Sequence, residues 1–183
     1  MDRRLRLDLT ESLTYWLKPT GADVEREFVQ ALRDARIEGD KPPYVLGPGR
    51  IVAFTEVPLA VSAKLLTGAE AFGINYAPVG FLFDRRWVFG RGGRPVIHQS
   101  ADEAALLPES QLYRHVTLDF ARRIDFTWKR EWRIPTAALV LEPSHCRPVL
   151  PDRAWLERVR ESVVGHAGAQ ALLDAAVLLE NFL

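Results

Sequence analysis

The sequence predicts a single α+β domain in which a mostly antiparallel sheet is flanked by helices. The chain has 183 residues, a length that fits one domain and can bury a full core. Short segments rich in β-branched and aromatic residues, bounded by glycine and proline, fill its middle. Helical periodicity marks its beginning and the residues from 152 onward. We expect residues 1–150 to form the α+β core and residues 151–183 to add a C-terminal helical extension.

The elements of the first half are predicted from local patterns. Residues 15–17 predict a short strand before a proline. Residues 22–35 predict a helix, because apolar side chains recur there at spacings of four and three. A polar loop with several glycines and prolines spans residues 38–48. A buried strand over residues 50–55 and a helix over residues 59–66 follow, and the proline before that helix suits its first turn.

The second half predicts further strands and another helix. Residues 80–89 and 94–98 are interpreted as the two strands of a hairpin around a glycine-rich turn. Residues 102–123 are expected to contain a helix that is interrupted near a proline. Residues 132–134 and 138–141 predict two more strands.

Composition excludes several classes of protein and site. Lys+Arg and Asp+Glu both total 24, so the whole molecule has no long-range attraction for nucleic acid or an anionic membrane. The single cysteine, Cys146, excludes an intramolecular disulfide and a multi-cysteine zinc site. No apolar run approaches the ~20 residues of a membrane span, and the N-terminal residues lack the apolar stretch of a secretory signal. We therefore expect a cytoplasmic protein without metal or membrane contact.

The first candidate site lies at the end of the predicted strand over residues 50–55. Thr55 and Glu56 are polar residues between this strand and the next helix. Strand ends are common places for functional side chains, because the sheet fixes their geometry. Alternatively, one of these side chains caps the following helix.

The second candidate is the charged and aromatic segment 125–133. If it is a strand, alternation places Lys129, Glu131 and Arg133 on one face, with Trp128, Arg130 and Trp132 on the other. Exposed ion pairs contribute only ~0–1 kcal/mol, so stability alone is a weak reason for this grouping. A functional interpretation requires Glu131 to lie in a cleft, and the alternative is an ordinary ion-pair network.

A third candidate is the arginine-rich segment 84–95. Its arginines alternate with aromatic residues, as they do on surfaces that bind phosphate or single-stranded nucleic acid. The alternative is a solvated hairpin whose arginines cover apolar surface.

Three segments together resemble a known family. They are residues 51–59 (IVAFTEVPL), 93–98 (GRPVIH) and 129–134 (KREWRI). In this order they resemble the AbiGi-type abortive-infection antitoxin family. The resemblance covers about residues 12–135 and does not include the helices from residue 152.

That family is in turn remotely similar to the DarT-type ADP-ribosyltransferases, in which a late strand carries one catalytic glutamate. The resemblance implies an ADP-ribosyltransferase-like fold that uses NAD, with Glu131 as the catalytic carboxylate. It implies Arg50 or Arg94 as the holder of the pyrophosphate, and Tyr15 stands roughly where the family often has histidine. The other cofactor-binding residues it implies are Thr55, Glu56 and Trp132.

The function implied by the resemblance is ADP-ribosyl transfer in bacterial phage defence or in a toxin–antitoxin pair. The target would be nucleic acid or protein, and the partner a cognate toxin or antitoxin. The alternative is an inactive antitoxin or regulator that binds a partner protein through an aromatic-rich surface, for which the five tryptophans provide material. A third hypothesis, a metal-dependent nuclease, would use carboxylates whose spacing does not support it: Glu56, Asp84, Asp125 and Glu131.

Overall fold

A seven-stranded sheet forms the centre of the structure, a computed structural model that describes residues 8–19, 21, 23–67 and 76–183. The strands are β1 (Ser12–Trp16), β2 (Arg36–Glu38), β3 (Ile51–Thr55), β4 (Gly80–Asp84), β5 (Arg94–Pro95), β6 (Ile97–Gln99), β7 (His115–Thr117), β8 (Glu131–Pro135), β9 (Ala138–Val140), β10 (Cys146–Leu150) and β11 (Val177–Leu178). The order in the large sheet is β11-β10-β4-β1-β3-β8-β5. Its pairs are antiparallel except for β10 and β11, which are parallel. Two small sheets pair β2 with β9 and β6 with β7.

Helices cover both faces of the large sheet. They are α1 (Val24–Arg33), α2 (Leu59–Thr67), α3 (Arg85–Gly90), α4 (Arg153–Ser162) and α5 (Ala167–Leu173). Single 3-10 segments span Asp102–Leu106, Glu109–Arg114, Thr127–Lys129 and Leu179–Phe182. One face of the sheet packs its phenylalanines against α1, α4 and α5, and the other packs Trp16 and Leu82 against α2 and the last 3-10 segment. Burial of these two apolar layers is the main stabilising contribution to the fold.

The predicted α+β class is confirmed, and so are the elements with clear local signals. The helix predicted over residues 22–35 is α1, and Asp23 caps it by accepting a hydrogen bond from the Arg26 N–H at 2.9 Å. The strands predicted around residues 50–55, 132–134 and 138–141 correspond to β3, β8 and β9. The helix predicted over residues 59–66 is α2.

The hairpin predicted over residues 80–98 is wrong. The strand β4 ends at Asp84, whose side chain accepts a hydrogen bond from the Trp87 N–H at 2.9 Å and so caps α3. The expected long strand therefore becomes a strand followed by a helix. The helix expected within residues 102–123 is also absent, because this part of the chain forms two 3-10 segments and β7.

The C-terminal residues belong to the same core as the rest of the chain. Val159 of α4 and Leu172 of α5 are buried with the sheet's phenylalanines. The strand β11 extends the large sheet beyond β10. The segment 151–183 is thus an integral part of the sheet and its helical layer.

Close contact between β1 and β4 depends on a glycine. Gly80 lies opposite Trp16, and a Cβ atom there would overlap with the carbonyl oxygen of Tyr15. We predict that Gly80→Ala destabilises the protein by about 1–3 kcal/mol, the usual range for forcing extra atoms into a packed site. Gly49→Ala is the control, because a Cβ atom there meets nothing within 4 Å. Urea unfolding of both variants measures the difference, and equal midpoints would contradict the prediction.

Candidate functional site

The large sheet opens between two of its central strands. Strand β1 pairs with β3 at a single position, Thr14 with Thr55. The pairs that would follow in that register, Tyr15 with Phe54 and Trp16 with Ala53, are not part of the ladder. By contrast, β1 pairs with β4 over the whole of Ser12–Trp16, and β3 pairs with β8 over the whole of Ile51–Thr55. Each strand is therefore held firmly on its outer side while the two diverge from each other.

Different partners hold the diverging ends of the two strands. The N–H of Leu17 donates to the carbonyl of Val79 at 3.0 Å, and the carbonyl of Leu17 accepts from the N–H of Ala77 at 2.9 Å. On the other side, Ile51 exchanges two main-chain hydrogen bonds with Asp40, at 2.8 and 2.9 Å. These bonds satisfy main-chain groups that would otherwise be left unpaired by the opening.

A cavity of about 760 Å³ fills the opening. Neighbouring residues of each strand line it, including Tyr15 and Trp16 of β1, and Ala53 and Phe54 of β3. Since successive side chains of a strand point to opposite faces, the cavity must extend through the plane of the sheet. Its volume lies within the ~300–1,000 Å³ that is usual for small-molecule and cofactor sites.

Glu131 lies at the rim of this cavity, at the first position of β8. It pairs with Thr55 across the ladder, so both side chains are on the same face. The guanidinium of Arg133, two residues along the same face, donates from Nε to Oε1 of Glu131 at 2.6 Å. About 16% of the Glu131 side chain is exposed, whereas Arg133 is 1% exposed. The Arg133 guanidinium therefore orients the Glu131 carboxylate, which remains accessible from the cavity.

Arg133 is anchored by main-chain groups as well as by the carboxylate. Its Nη1 donates to the carbonyl oxygens of Tyr113 and His115, at 2.7 and 3.1 Å. A buried guanidinium needs such partners, because an unpaired buried charge is very costly. The predicted grouping of Glu131 and Arg133 on one face is confirmed, although the strand begins only at Glu131 and residues 127–129 form a 3-10 turn.

Two lysines and a tyrosine line the cavity close to Glu131. The Nζ atoms of Lys18 and Lys129 lie 5.7 and 5.5 Å from the centre of the Tyr76 ring. The Lys129 Nζ also lies 4.7 Å from the centre of the Phe126 ring and 5.6 Å from that of Trp128. Burial lowers the pKa of Lys129, the charges of Lys18 and Arg133 act in the same direction, and Glu131 opposes them.

The opposite wall of the cavity is formed by α1 and residues 36–42, and it carries charges of both signs. Arg36 pairs with Glu38 at 2.7 Å, and Arg50 donates to the carbonyl of Gly39 at 3.3 Å. Burial raises the pKa of Tyr15 to about 12, and the charges of Asp40 and Glu27 add to this effect. Tyr15 is thus a neutral phenol at physiological pH.

Of the residues predicted from the sequence, Tyr15, Arg50, Thr55 and Glu131 line the cavity together. The Thr55 hydroxyl donates to the Lys129 carbonyl at 2.5 Å and accepts from the Val57 N–H at 3.2 Å. Thr55 therefore fixes the turn that leads from Lys129 into Glu131. Sequence reasoning did not find Lys18 or Tyr76, because no local pattern shows that two strands will stop pairing.

The other predicted residues do not line the cavity. Glu56 forms an ion pair with Arg85 at 2.5 Å and accepts from the Trp132 indole N–H at 3.0 Å. Arg94 packs over the Phe89 ring at 3.9 Å and donates to the carbonyl of Phe89 at 2.9 Å. These contacts join β3, α3 and β8 at the sheet's surface and have a structural role.

Other chemically interesting groups lie away from the cavity. Cys146 is buried, and burial raises the pKa of its thiol, while its neighbour His145 stacks on Trp87 at 5.4 Å. Among residues 8–19, 21, 23–67 and 76–183, no three His, Cys, Asp or Glu side chains are grouped to hold a metal ion. The helices in these same ranges include none with the length and apolarity to cross a membrane.

Comparison with known proteins finds no matching family model, no matching curated protein and no matching solved structure. The resemblance to the AbiGi-type family and to the DarT-type transferases therefore stays a prediction from short motifs.

We predict that Tyr15→Phe makes stability less dependent on alkaline pH. The pKa of Tyr15 is 10.0 in the unfolded chain and about 12 in the folded protein, so the folded state holds the proton more tightly. This contribution is complete below pH 10 and is lost as pH rises towards 12. In urea unfolding between pH 9 and 11, the free energy of unfolding should fall less steeply with pH for the variant than for wild type. Parallel declines in both proteins would contradict the prediction.

We also predict that Arg133→Met destabilises the protein by at least about 1–3 kcal/mol, the range for one buried polar group that loses its partner. The substitution leaves the carbonyls of Tyr113 and His115 without their donor. Arg153→Met is the control, because Arg153 is largely exposed on α4. Chemical denaturation should give a lower free energy of unfolding for Arg133→Met than for Arg153→Met. If Arg133→Met lowers it no more than the control does, the structural role of Arg133 is refuted.

Proposed function

We propose that the protein is an NAD-dependent ADP-ribosyltransferase in which Glu131 is the catalytic carboxylate. The observation that supports this most is the position of Glu131, which is fixed by buried Arg133 at the rim of the cavity between β1 and β3. A single oriented carboxylate in a partly desolvated cleft suits a reaction that develops positive charge on a sugar. The biological setting, phage defence or a toxin–antitoxin pair, rests on the sequence resemblance alone.

The lining of the cavity is compatible with a dinucleotide. Its volume of about 760 Å³ is in the upper part of the usual range for cofactor sites. Tyr15 and Trp128 line it and carry aromatic rings on which adenine or nicotinamide can stack. Lys18 and Lys129 provide positive charge for the phosphates.

The proposed step breaks the bond between the ribose C1′ atom and the nicotinamide nitrogen. Nicotinamide leaves with the bonding electron pair, and positive charge spreads over C1′ and the ring oxygen. The carboxylate of Glu131 stabilises that charge and orients the attacking group of the target. The attacking atom then forms a bond to C1′ and loses its proton to Glu131 or to water. Arg133 contributes by holding the carboxylate in one orientation through the hydrogen bond from its Nε.

The neutral phenol of Tyr15 has a supporting role in this scheme. Because its pKa is raised to about 12, it remains a hydrogen-bond donor throughout the physiological pH range. A donor of this kind can bind a ribose hydroxyl or a carboxamide oxygen. Tyr15 thus takes over, in this chain, the place at which the resembled family often has histidine.

A second candidate function, an inactive regulator that binds a partner protein, is favoured by the surface of residues 102–128. Leu106 and Phe120 are each 76% exposed there, and Phe126 and Trp128 are also exposed. Exposed apolar side chains are typical of protein interaction sites, and these four lie within one stretch of the sequence. The two functions differ in whether the cavity turns over NAD.

We predict that Glu131→Gln reduces NAD-dependent nicotinamide release by roughly 10²–10⁴-fold, the usual contribution of one catalytic carboxylate. The assay follows nicotinamide release with NAD alone and with single-stranded DNA, RNA or a cell lysate as the target. Glu157→Gln is the matched control, because Glu157 is exposed on α4 and outside the cavity.

Two results would overturn the proposed transferase. One is release that is equal in wild type and Glu131→Gln. The other is the absence of nicotinamide release by the wild-type protein with every target; if calorimetry then shows no NAD binding either, the partner-binding regulator is favoured.

A further inference from the structure

We propose that Lys18 and Lys129, whose ammonium groups both lie over the Tyr76 ring, form the diphosphate-binding part of the cavity. The ligand class is a nucleoside diphosphate or a larger molecule that contains one. The inference deepens the proposed transferase function and rests on it for the identity of the ligand as NAD. It differs from the sequence-based expectation, in which Arg50 or Arg94 holds the pyrophosphate.

The two ammonium groups converge on one ring. Lys18 Nζ lies 5.7 Å and Lys129 Nζ 5.5 Å from the centre of Tyr76. They come from distant parts of the chain, Lys18 just after β1 and Lys129 in the 3-10 turn before β8. All three residues line the cavity. Two cations brought to one aromatic ring attract a multiply charged anion more strongly than either would alone.

Within the described ranges, neither ammonium has a carboxylate oxygen at ion-pair distance, and the Lys18 Nζ donates only to the Tyr44 hydroxyl, at 3.4 Å. Glu131, whose charge acts on Lys129, is already bonded to Arg133 at 2.6 Å. Lys129 is partly buried and Lys18 is exposed, so an anionic ligand bound between them would compensate the desolvated charge of Lys129 and remain within reach of Lys18.

The arginines considered from the sequence are less suitable for a diphosphate. Arg50 donates to the carbonyl of Gly39, and its wall of the cavity includes the carboxylates of Glu38 and Asp40. Arg94 packs on Phe89 outside the cavity. The lysine side is thus the positive side of the cavity, and a diphosphate bound there leaves the attached ribose close to Glu131.

The test is calorimetric binding of ADP-ribose, ADP and adenosine to the full chain. Wild type should prefer the two diphosphates to adenosine, and the preference should weaken as salt rises. Lys18→Met and Lys129→Met should each weaken ADP-ribose binding roughly tenfold or more and leave adenosine binding unchanged. Lys64→Met, on α2 and outside the cavity lining, should have no effect. Lys18→Arg and Lys129→Arg keep the charge and should retain most of the affinity.

The proposal fails if both methionine variants bind ADP-ribose as wild type does, or if wild type shows no preference for diphosphates over adenosine. These outcomes are separable from those of the transferase test. Lysine-dependent ADP-ribose binding without any nicotinamide release supports the diphosphate site and refutes the transferase. The opposite result is nicotinamide release that depends on Glu131, with the same NAD affinity in wild type and both methionine variants. It would support the transferase and refute the diphosphate site.

Discussion

Strands β1 and β3 pair only at Thr14 and Thr55, and the rest of the site depends on this constraint. A strand inside a sheet needs partners for its main-chain groups, so an opening at this place requires substitutes. Leu17 finds them in Ala77 and Val79, and Ile51 finds them in Asp40. Because β4 and β8 hold the outer sides of the two strands along their full length, the sheet remains one body around the opening. The same divergence brings side chains from both sheet faces into one cavity.

Two carboxylates that look alike in the sequence have different surroundings in the fold. Glu56 and Glu131 are both charged residues at strand ends, and each is paired with an arginine. The pair of Glu56 and Arg85 is at the sheet's surface and also receives the Trp132 indole, so its oxygens are engaged in joining elements. The Glu131 carboxylate is bonded on one side by Arg133 and borders the cavity on the other. The direction in which the sheet opens therefore determines which carboxylate is available for chemistry.

The sequence allowed the fold class and most elements with a local signal to be predicted. Helix α1 and strand β3 have clear periodicity and boundaries. The single strand predicted over residues 80–89 is wrong, because a short apolar run fits both a strand and a helix. The Asp84 cap marks the position where strand β4 ends and helix α3 begins. The motif of residues 129–134 includes Glu131, and the family resemblance pointed to Tyr15. The lysines and aromatic residues that complete the cavity lining are far apart in the sequence, so no local pattern predicts that they meet.

The most direct test of this account is a crystal structure of the protein with a non-hydrolysable NAD analogue. The account predicts that the analogue lies in the opening between β1 and β3, with its ribose next to Glu131 and its diphosphate between Lys18 and Lys129. An analogue bound elsewhere would contradict it. So would a sheet in which β1 and β3 pair continuously past Thr14 and Thr55 and leave no cavity.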